Sequence, residues 1–426
     1  MKHGCCLRHA LFVTAWVLLA AQTCVAQENL SWDQVKSRFE AANPALKADA
    51  YSVDEMKAAE TTAFLRPNPQ FTLSQDGTQV APNNGVWQPM LGTFVVPTIS
   101  YLHERDHKRE LRRQSAQEGT RIAASDHDDL KRNLEFNLRQ AFVLTLQSKA
   151  VLELAKNDLD YYDKIIDIAR SRYAAGDIAQ IDLDRIELLR VQYEVEIQSA
   201  MVNLRTAKIQ LLQLLDDRTP VEKFEVNGAF DFSDALQPLD DYRQIALDTR
   251  PDLQAALQAV QQAETNHKLA VANGSTDPTF SGWYTWNSSN NNPNALQTLG
   301  GSVSIPLRIF DRNQGEKQRT LIDISRSRQV TEAARAQVFS DVDSSYSQVQ
   351  SSIALLKPYK AKYKDQATRV RDTVTYSYQH GGASLMDFLN AQSDYRTVQL
   401  AYLQLIGSYL TAAGQLNLAV GREVLQ

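Results

Sequence analysis

The sequence predicts a mostly α chain with a smaller β component, folded as an internal duplication. Short landmarks recur at a nearly constant spacing along the 426 residues. RYAAGDIAQIDL (172–183) returns as SYQHGGASLMDF (377–388), about 205 positions on, so that Tyr173, Gly176 and Asp182 meet Tyr378, Gly381 and Asp387. PNPQFTLSQ (67–75) returns as TDPTFSGWY (276–284), and Pro97 meets Pro306, both at about 209. The second observation is a long apolar stripe: Leu134, Leu138, Ala141, Thr145, Ser148, Leu152, Ala155, Leu159, Tyr162, Ile166, Ala169, Tyr173. Its steps alternate four and three, the seam of a coiled coil. The third is a pair of alternating segments in each half, separated by turn-formers, which read as β-hairpins.

The elements follow in order. Ser31 with Gln34 forms a capping box that opens a helix through WDQVKSRFEAA; the helix breaks at Asn43-Pro44 and resumes to about Phe64. Arg66-Pro67-Asn68-Pro69 ends it. Strands are expected at 71–75 and 91–102, around Asp76-Gly77 and APNNG (81–85). A helix of about 105–173 comes next, then a turn at Ala175-Gly176 and a return helix carrying Ile186, Leu189, Tyr193, Ile197, Ala200, Leu204, Ala207, Leu211 and Leu214. Asp216 to Pro220 stops it. The second half repeats the scheme: a helix over 239–272 broken before Pro251, strands at about 278–287 and 296–307 flanking the polar loop NSSNNNPN (287–294), a long helix over 313–378, a turn at His380-Gly381-Gly382, and a return helix to about Val420. Pro358 is expected to kink the second long helix, where the first half has Glu153.

Lys2 and Arg8 precede the apolar run LFVTAWVLLAA (11–21), too short to span a bilayer, and Cys24-Val25-Ala26 offers a cleavage site. The expected organisation is a signal peptide over 1–26, a first repeat over 27–220 and a second over 221–426. A lipid anchor on Cys24 is the alternative, though AQT (21–23) is a poor lipobox. Cys5, Cys6 and Cys24 are the only cysteines, so a chain cleaved after Ala26 is held by packing alone. It carries 43 basic and 50 acidic residues, a net charge of −7 that argues against a nucleic-acid partner. No later stretch reaches the length of an apolar membrane helix, so any crossing is by strands.

Strands of about ten residues suit an outer-membrane barrel, but four per chain cannot close one without exposed edges. A closed oligomer resolves this, and three chains supply twelve strands. At this point LSWDQVKSRFEAANPAL (30–46), RPNPQFTLS (66–74), SIPLRIFDRNQGE (304–316) and the two Tyr-x-x-Gly tips followed by Asp become informative together. In their order and spacing the chain resembles the outer membrane efflux protein family, the TolC-like channels, over essentially all of 28–421. The run IPLRIFDRNQG is most similar to the branch that serves cobalt-zinc-cadmium efflux.

That resemblance implies a homotrimer whose twelve-stranded barrel, set in outer-membrane lipid, continues into a long periplasmic α-helical coiled-coil barrel. It implies a passive export conduit of a tripartite system, with a periplasmic adaptor and an inner-membrane pump as partners and no enzymatic chemistry or cofactor. A type I secretion channel shares the architecture, and a poreless periplasmic coiled-coil scaffold is the reading from another class. The tips Gly176, Asp177, Gly381 and Gly382 would dock the adaptor. At the pore entrance the resemblance implies a carboxylate at Asp387 and a second three residues on, where this chain has Asn390; Asp182 and Arg185 are the first-repeat counterparts. A ring of Asp387 would favour cations, while an acid in a first helical turn also stabilises the helix dipole.

His103-Glu104-Arg105-Asp106-His107 matches the zinc-protease pattern HExxH. It lies where a strand gives way to a helix, and its extended form would need glycine and histidine where Glu110 and Arg113 stand. The expectation is therefore no catalytic residue and no metal site. Trp87, Trp283, Tyr284 and Trp286 read as an interfacial belt, or else as hairpin packing.

Overall fold

The computed structural model describes residues 28–90, 92–287 and 297–425. The signal segment, Cys24 and nearly all of the 287–294 loop lie outside the described residues. In chain order the elements are β1 (Glu28–Leu30), α1 (Trp32–Ala42), α2 (Pro44–Ala63), β2 (Gln70–Asp76), β3 (Phe94–Leu102), α3 (Lys108–Ala174), α4 (Gln180–Leu214), β4 (Phe224–Val226), α5 (Leu239–Thr249), α6 (Pro251–Ala272), β5 (Thr279–Asn287), β6 (Gln297–Ser304), α7 (Gln314–Pro358), α8 (Lys364–Gln379) and α9 (Leu385–Val420). The two halves repeat, element for element, from α1 to α4 and from α5 to α9.

The repetition extends to single hydrogen bonds. Asn43 breaks α1 from α2: its side-chain oxygen caps Ala45 and Leu46, and its Nδ2 donates to Leu214 O at the end of α4 (3.1 Å). Arg250 breaks α5 from α6 and donates to Ala419 O at the end of α9 (3.3 Å). Each proline that follows occupies the first helical position, where its missing N–H costs nothing. The two breaks thus tie each short helix pair to the foot of its own return helix.

Strand order in the main sheet is β2-β3-β5-β6, antiparallel throughout. The helices attached to those strands pack in the same order, α2 on α3, α3 on α6, α6 on α7. Sheet and helix row are therefore continuous, and both end in an open edge: β2 with α2 at one side, β6 with α7 at the other. Apolar packing concentrates in three clusters. One gathers Val338, Val342, Val349, Tyr402, Tyr409 and Leu416. A second gathers Val35, Phe39, Leu138, Phe142, Leu211 and Val226. The third, far along the hairpins, joins Tyr162, Ile166 and Ile186 of the first repeat to Tyr378 and Phe388 of the second.

Several details depart from the sequence reading. β1 and β4 form a parallel two-stranded sheet, Leu30 opposite Val226, tying the start of the first half to the start of the second. Three-residue strands leave no periodicity to detect. Pro97 lies inside β3 opposite Leu73, whereas Pro306 lies beyond the end of β6; the two prolines are not equivalent. Tyr173, at the end of the apolar stripe, is exposed because α3 ends there. Pro358 brings a change of winding: Tyr359–Tyr363 is π-helical, and Lys364 N reaches back to Tyr359 O. A proline has no N–H for the i−4 carbonyl, and the wider turn absorbs the defect.

Arg250 is 3% exposed and bonded to Asp252 and Asp341 as well as to Ala419 O. Its loss strips Ala419 O and two partly exposed carboxylates of their donor, at a cost of about 2–3 kcal/mol, against about 1 kcal/mol for a lost Asn43 cap. Thermal denaturation should therefore show Arg250→Ala melting well below Asn43→Ala; equal melting temperatures would contradict the assignment.

Candidate functional site

Two regions of the chain are built for something other than a closed core. The first is the main sheet. β2 is exposed along its whole length, with Phe71 and Leu73 on opposite faces from their neighbours, and Ile99, Phe280, Leu299 and Val303 are exposed on the other strands. Cross-strand register puts all of these on one face, with Tyr284 and Trp286, and leaves the other face mostly to Ser, Thr and Gln; a soluble sheet hides its apolar face, whereas this one leaves it uncovered. Trp87, Tyr284 and Trp286 are exposed, whereas Trp283 is half-buried over Gly300, its cross-strand partner. A Cβ on Gly300 would meet the indole at 2.4 Å, so the glycine makes the room. Three of the four aromatics are therefore free to lie at an interface and one is hairpin packing. Among the described residues no helix is long and apolar enough to cross a membrane.

The second region is the far end of the helical hairpins. Gly176 (φ +85°) and Gly381 (φ +78°) take the left-handed conformation at the two tips. Gly176 N donates to Tyr173 O and Asp177 N to Arg172 O; Gly381 N donates to Tyr378 O and Gly382 N to Ser377 O. Gly382 does not adopt positive φ. It stands in the place of Asp177, whose backbone makes the same bond, so only one glycine per tip is required.

After the second tip, Ser384 and Asp387 form a reciprocal capping box. Asp387 N donates to Ser384 Oγ (3.1 Å), and the Asp387 carboxylate accepts from Ser384 N (3.1 Å) and Oγ (2.7 Å). Those bonds, the hydroxyl first and the backbone second, hold its carboxyl below the ordinary aspartate range. At the first tip Ala179 stands where Ser384 does, and α4 starts without a side-chain cap. Asp387, Asn390 and Arg185 are exposed, and Asp182 is half-buried. The starts of α4 and α9 meet in a shallow groove lined by Arg185, Leu188, Leu189, Leu385, Met386 and Leu389. Arg185 is thus brought beside the second return helix, and Asp182 lies within electrostatic reach of Tyr378 at the end of α8.

Behind the tips a set of straps joins the two hairpins. Arg172 donates to Tyr378 O (2.6 Å) and lies over its ring (5.0 Å). Tyr161 donates its hydroxyl hydrogen to Thr375 Oγ1 (3.0 Å). The Arg371 guanidinium sits between the rings of Tyr161 (4.5 Å) and Tyr395 (4.0 Å). Arg396 pairs with Glu196 (2.9 Å) and faces the ring of Tyr193. Beside these, Asp158 is pushed up to about 6 by burial, against the pull of Arg396 and Arg371 and with a further push from Glu196. The sequence reading found none of this network. Its members lie roughly 200 residues apart, and each looked like an ordinary residue on a helix flank.

The HExxH residues do not form a helical pair. His103 N donates to Pro278 O, Glu104 is clamped by both terminal nitrogens of Arg112 (2.5 and 2.8 Å), and His107 is left-handed at the start of α3. Among the described residues no group of three potential ligands could hold a metal ion.

Residues 242–422 match the family described as outer membrane efflux protein. That match lies within the second half of the chain. The chain is 22% identical, over 88% of its length and 86% of the relative's, to the cobalt-zinc-cadmium resistance protein CzcC of Cupriavidus metallidurans. Its fold matches that of CusC with a TM-score of 0.77 at 17% identity, covering 92% of each chain. It also matches the outer membrane channel CmeC of Campylobacter jejuni, at a TM-score of 0.74 and 15% identity, over 93% of this chain and 87% of that one.

Asp158 gives a pH-dependent test of the straps. A carboxyl whose folded pKa is raised costs the folded state nothing below the unfolded value, and stability falls as pH rises from about 4 to about 6. Asp158→Asn should raise the melting temperature by a few degrees at pH 7.5 and leave it unchanged near pH 4. A rise of equal size at both would show that burial of the charge is not the cause.

Proposed function

We propose that this protein is the outer-membrane channel subunit of a tripartite export system, a passive conduit from the periplasm to the exterior. The observation that carries the reading is the open four-stranded sheet, its apolar face uncovered and its other face mostly polar, continued by a row of long helices. Such a sheet is stable in hydrocarbon only when its edge N–H and C=O groups are paired, which closure with further copies achieves. Three copies give twelve strands, an even number within the range of outer-membrane barrels. The helices then continue the barrel as a periplasmic tunnel.

In this reading residues 1–26 are the removed signal peptide, and 27–220 and 221–426 are the two repeats. The tips, Gly176 with Asp177 and Gly381 with Gly382, receive a periplasmic adaptor that links the conduit to an energised inner-membrane pump. The likeness to a cobalt-zinc-cadmium resistance protein supports divalent metal ions as the cargo. Asp387 supplies a ring of three carboxylates at the entrance, with Asn390, Asp182 and Arg185 around it, and its low pKa keeps that ring ionised at neutral pH. Because the same carboxylate caps α9, charge and cap have to be separated by experiment.

Single-channel recording in planar bilayers makes that separation. Asp387→Asn should lower the preference for cations over anions, while Ser384→Ala, which keeps the charge, should leave it unchanged; both should weaken the helix cap. An unaltered preference in Asp387→Asn would reduce Asp387 to a cap. Purified protein that never conducts would overturn the channel reading itself.

A further inference from the structure

The two connectors that lead from strand to long helix, at the foot of the sheet, have diverged. Between β3 and α3 the chain uses residues 103–107, which are polar and tied to their surroundings. His103 N donates to Pro278 O, Arg105 N to Asp277 Oδ1 (2.9 Å), and Glu104 is held by Arg112. Between β6 and α7 it uses residues 305–313, nine in place of five. Both connectors end on a left-handed residue, His107 and Asn313, so the extra length lies ahead of that turn.

The longer connector begins Ile305-Pro306-Leu307-Arg308-Ile309-Phe310-Asp311-Arg312. Its bonds are local: Ile309 N donates to Leu307 O, Asn313 N to Asp311 Oδ1, and Gln314 Nε2 to Phe310 O. Asn313 Nδ2, donating to Ala270 O (2.7 Å), anchors its far end to α6. Ile305, Leu307, Ile309 and Phe310 are all exposed, Leu307 at 80% and Phe310 at 90%. No large apolar side chain among the described residues is more exposed than Phe310. Arg308 and Arg312 alternate with these side chains, and Lys317 follows in the first turn of α7. Among the described residues none of the three cations has an ion pair. Cations at a helix start oppose its dipole, so Arg312 and Lys317 do not serve α7.

The place of this connector decides what covers it. Ser304, opposite Thr279, is the foot of β6, and Ile305 follows Leu299 and Val303 of the uncovered apolar face. The connector therefore lies where the apolar band of the sheet gives way to the helices. In a closed ring the next copy presents Arg66-Pro67-Asn68-Pro69-Gln70 at this level, just ahead of β2. That run is polar and of like charge, and supplies neither apolar cover nor a counter-ion. A phospholipid leaflet supplies both.

We propose that residues 305–312 are a lipid-binding collar. Leu307, Ile309 and Phe310 enter the acyl chains of the periplasmic leaflet, while Arg308 and Arg312 hold the phosphodiester of an anionic headgroup. Apolar side chains interleaved with arginines are the composition that settles at the boundary between headgroups and acyl chains, and the arginine stems can lie along the chains with their charges in the headgroup layer. Only the second repeat carries such a connector, so a trimer would bind lipid at three places around its foot and thereby fix the depth of the barrel. This inference rests on the channel reading above.

Nitroxide labels test it in the whole protein, reconstituted in vesicles of phosphatidylethanolamine and phosphatidylglycerol. Labels are placed at Phe310→Cys, at Leu307→Cys as an independent variant, at Leu299→Cys on the apolar face of the sheet, and at Asp177→Cys at a tip; the unsubstituted protein gives the background. Labels at 299, 307 and 310 should be relaxed more by oxygen than by a water-soluble nickel chelate, and the label at 177 the reverse. Labels at 307 and 310 that the chelate reaches as freely as 177, or that neither reagent reaches because another copy covers them, overturn the proposal. A label at 299 that lies in water fails the channel reading instead. Replacing phosphatidylglycerol by phosphatidylcholine should lower the melting temperature of the unsubstituted protein by a few degrees and leave that of Arg308→Gln with Arg312→Gln unchanged. An equal fall in both overturns the headgroup assignment.

Discussion

The structure depends on one unmet requirement: among the described residues no strand pairs with the outer edges of β2 and β6. In water such edges invite aggregation; in hydrocarbon each unpaired N–H or C=O costs several kcal/mol. One face of the sheet is apolar and uncovered within the chain, and only the other, mostly Ser, Thr and Gln, suits water. The helices inherit the same incompleteness, because they continue the strands in the same order and end in the same open sides. A single chain is therefore one segment of a ring, and its exposed apolar surface is the surface that assembly removes.

Within that segment the duplication does more than double the strand number. The two helix breaks perform one task with different chemistry: Asn43 reaches a single carbonyl, while Arg250 recruits two aspartates as well. At the tips both turns use one left-handed glycine, but only α9 has a side-chain cap. Along the hairpins, arginines and tyrosines concentrate on the seam inside the chain.

Much of the fold was legible in the sequence because its elements are long and periodic. The four-three stripe placed α3 within three residues, and the capping box at Ser31 placed the start of α1. The break at Asn43-Pro44, the edge strand from Gln70 and the glycine tips followed from backbone chemistry that acts locally. What stayed hidden was short or non-local. β1 and β4 have three residues each. The equivalence of Pro97 and Pro306 dissolved because the strand before Pro306 ends early. Of the candidate site, the tips and Asp387 were visible, and Ser384-x-x-Asp387 could have been read as a capping box from the sequence alone. The strap network was not visible, since guanidinium stacking on a ring some 200 residues away leaves no local pattern.

The claim on which the account stands is that the open edges are satisfied by two further copies of the same chain. Native mass spectrometry of the protein extracted from outer membranes in mild detergent measures this directly. The account predicts a single species at three times the mass of the mature chain, persisting until the detergent is made denaturing. A monodisperse monomer or dimer, with the sheet intact by circular dichroism, would contradict it.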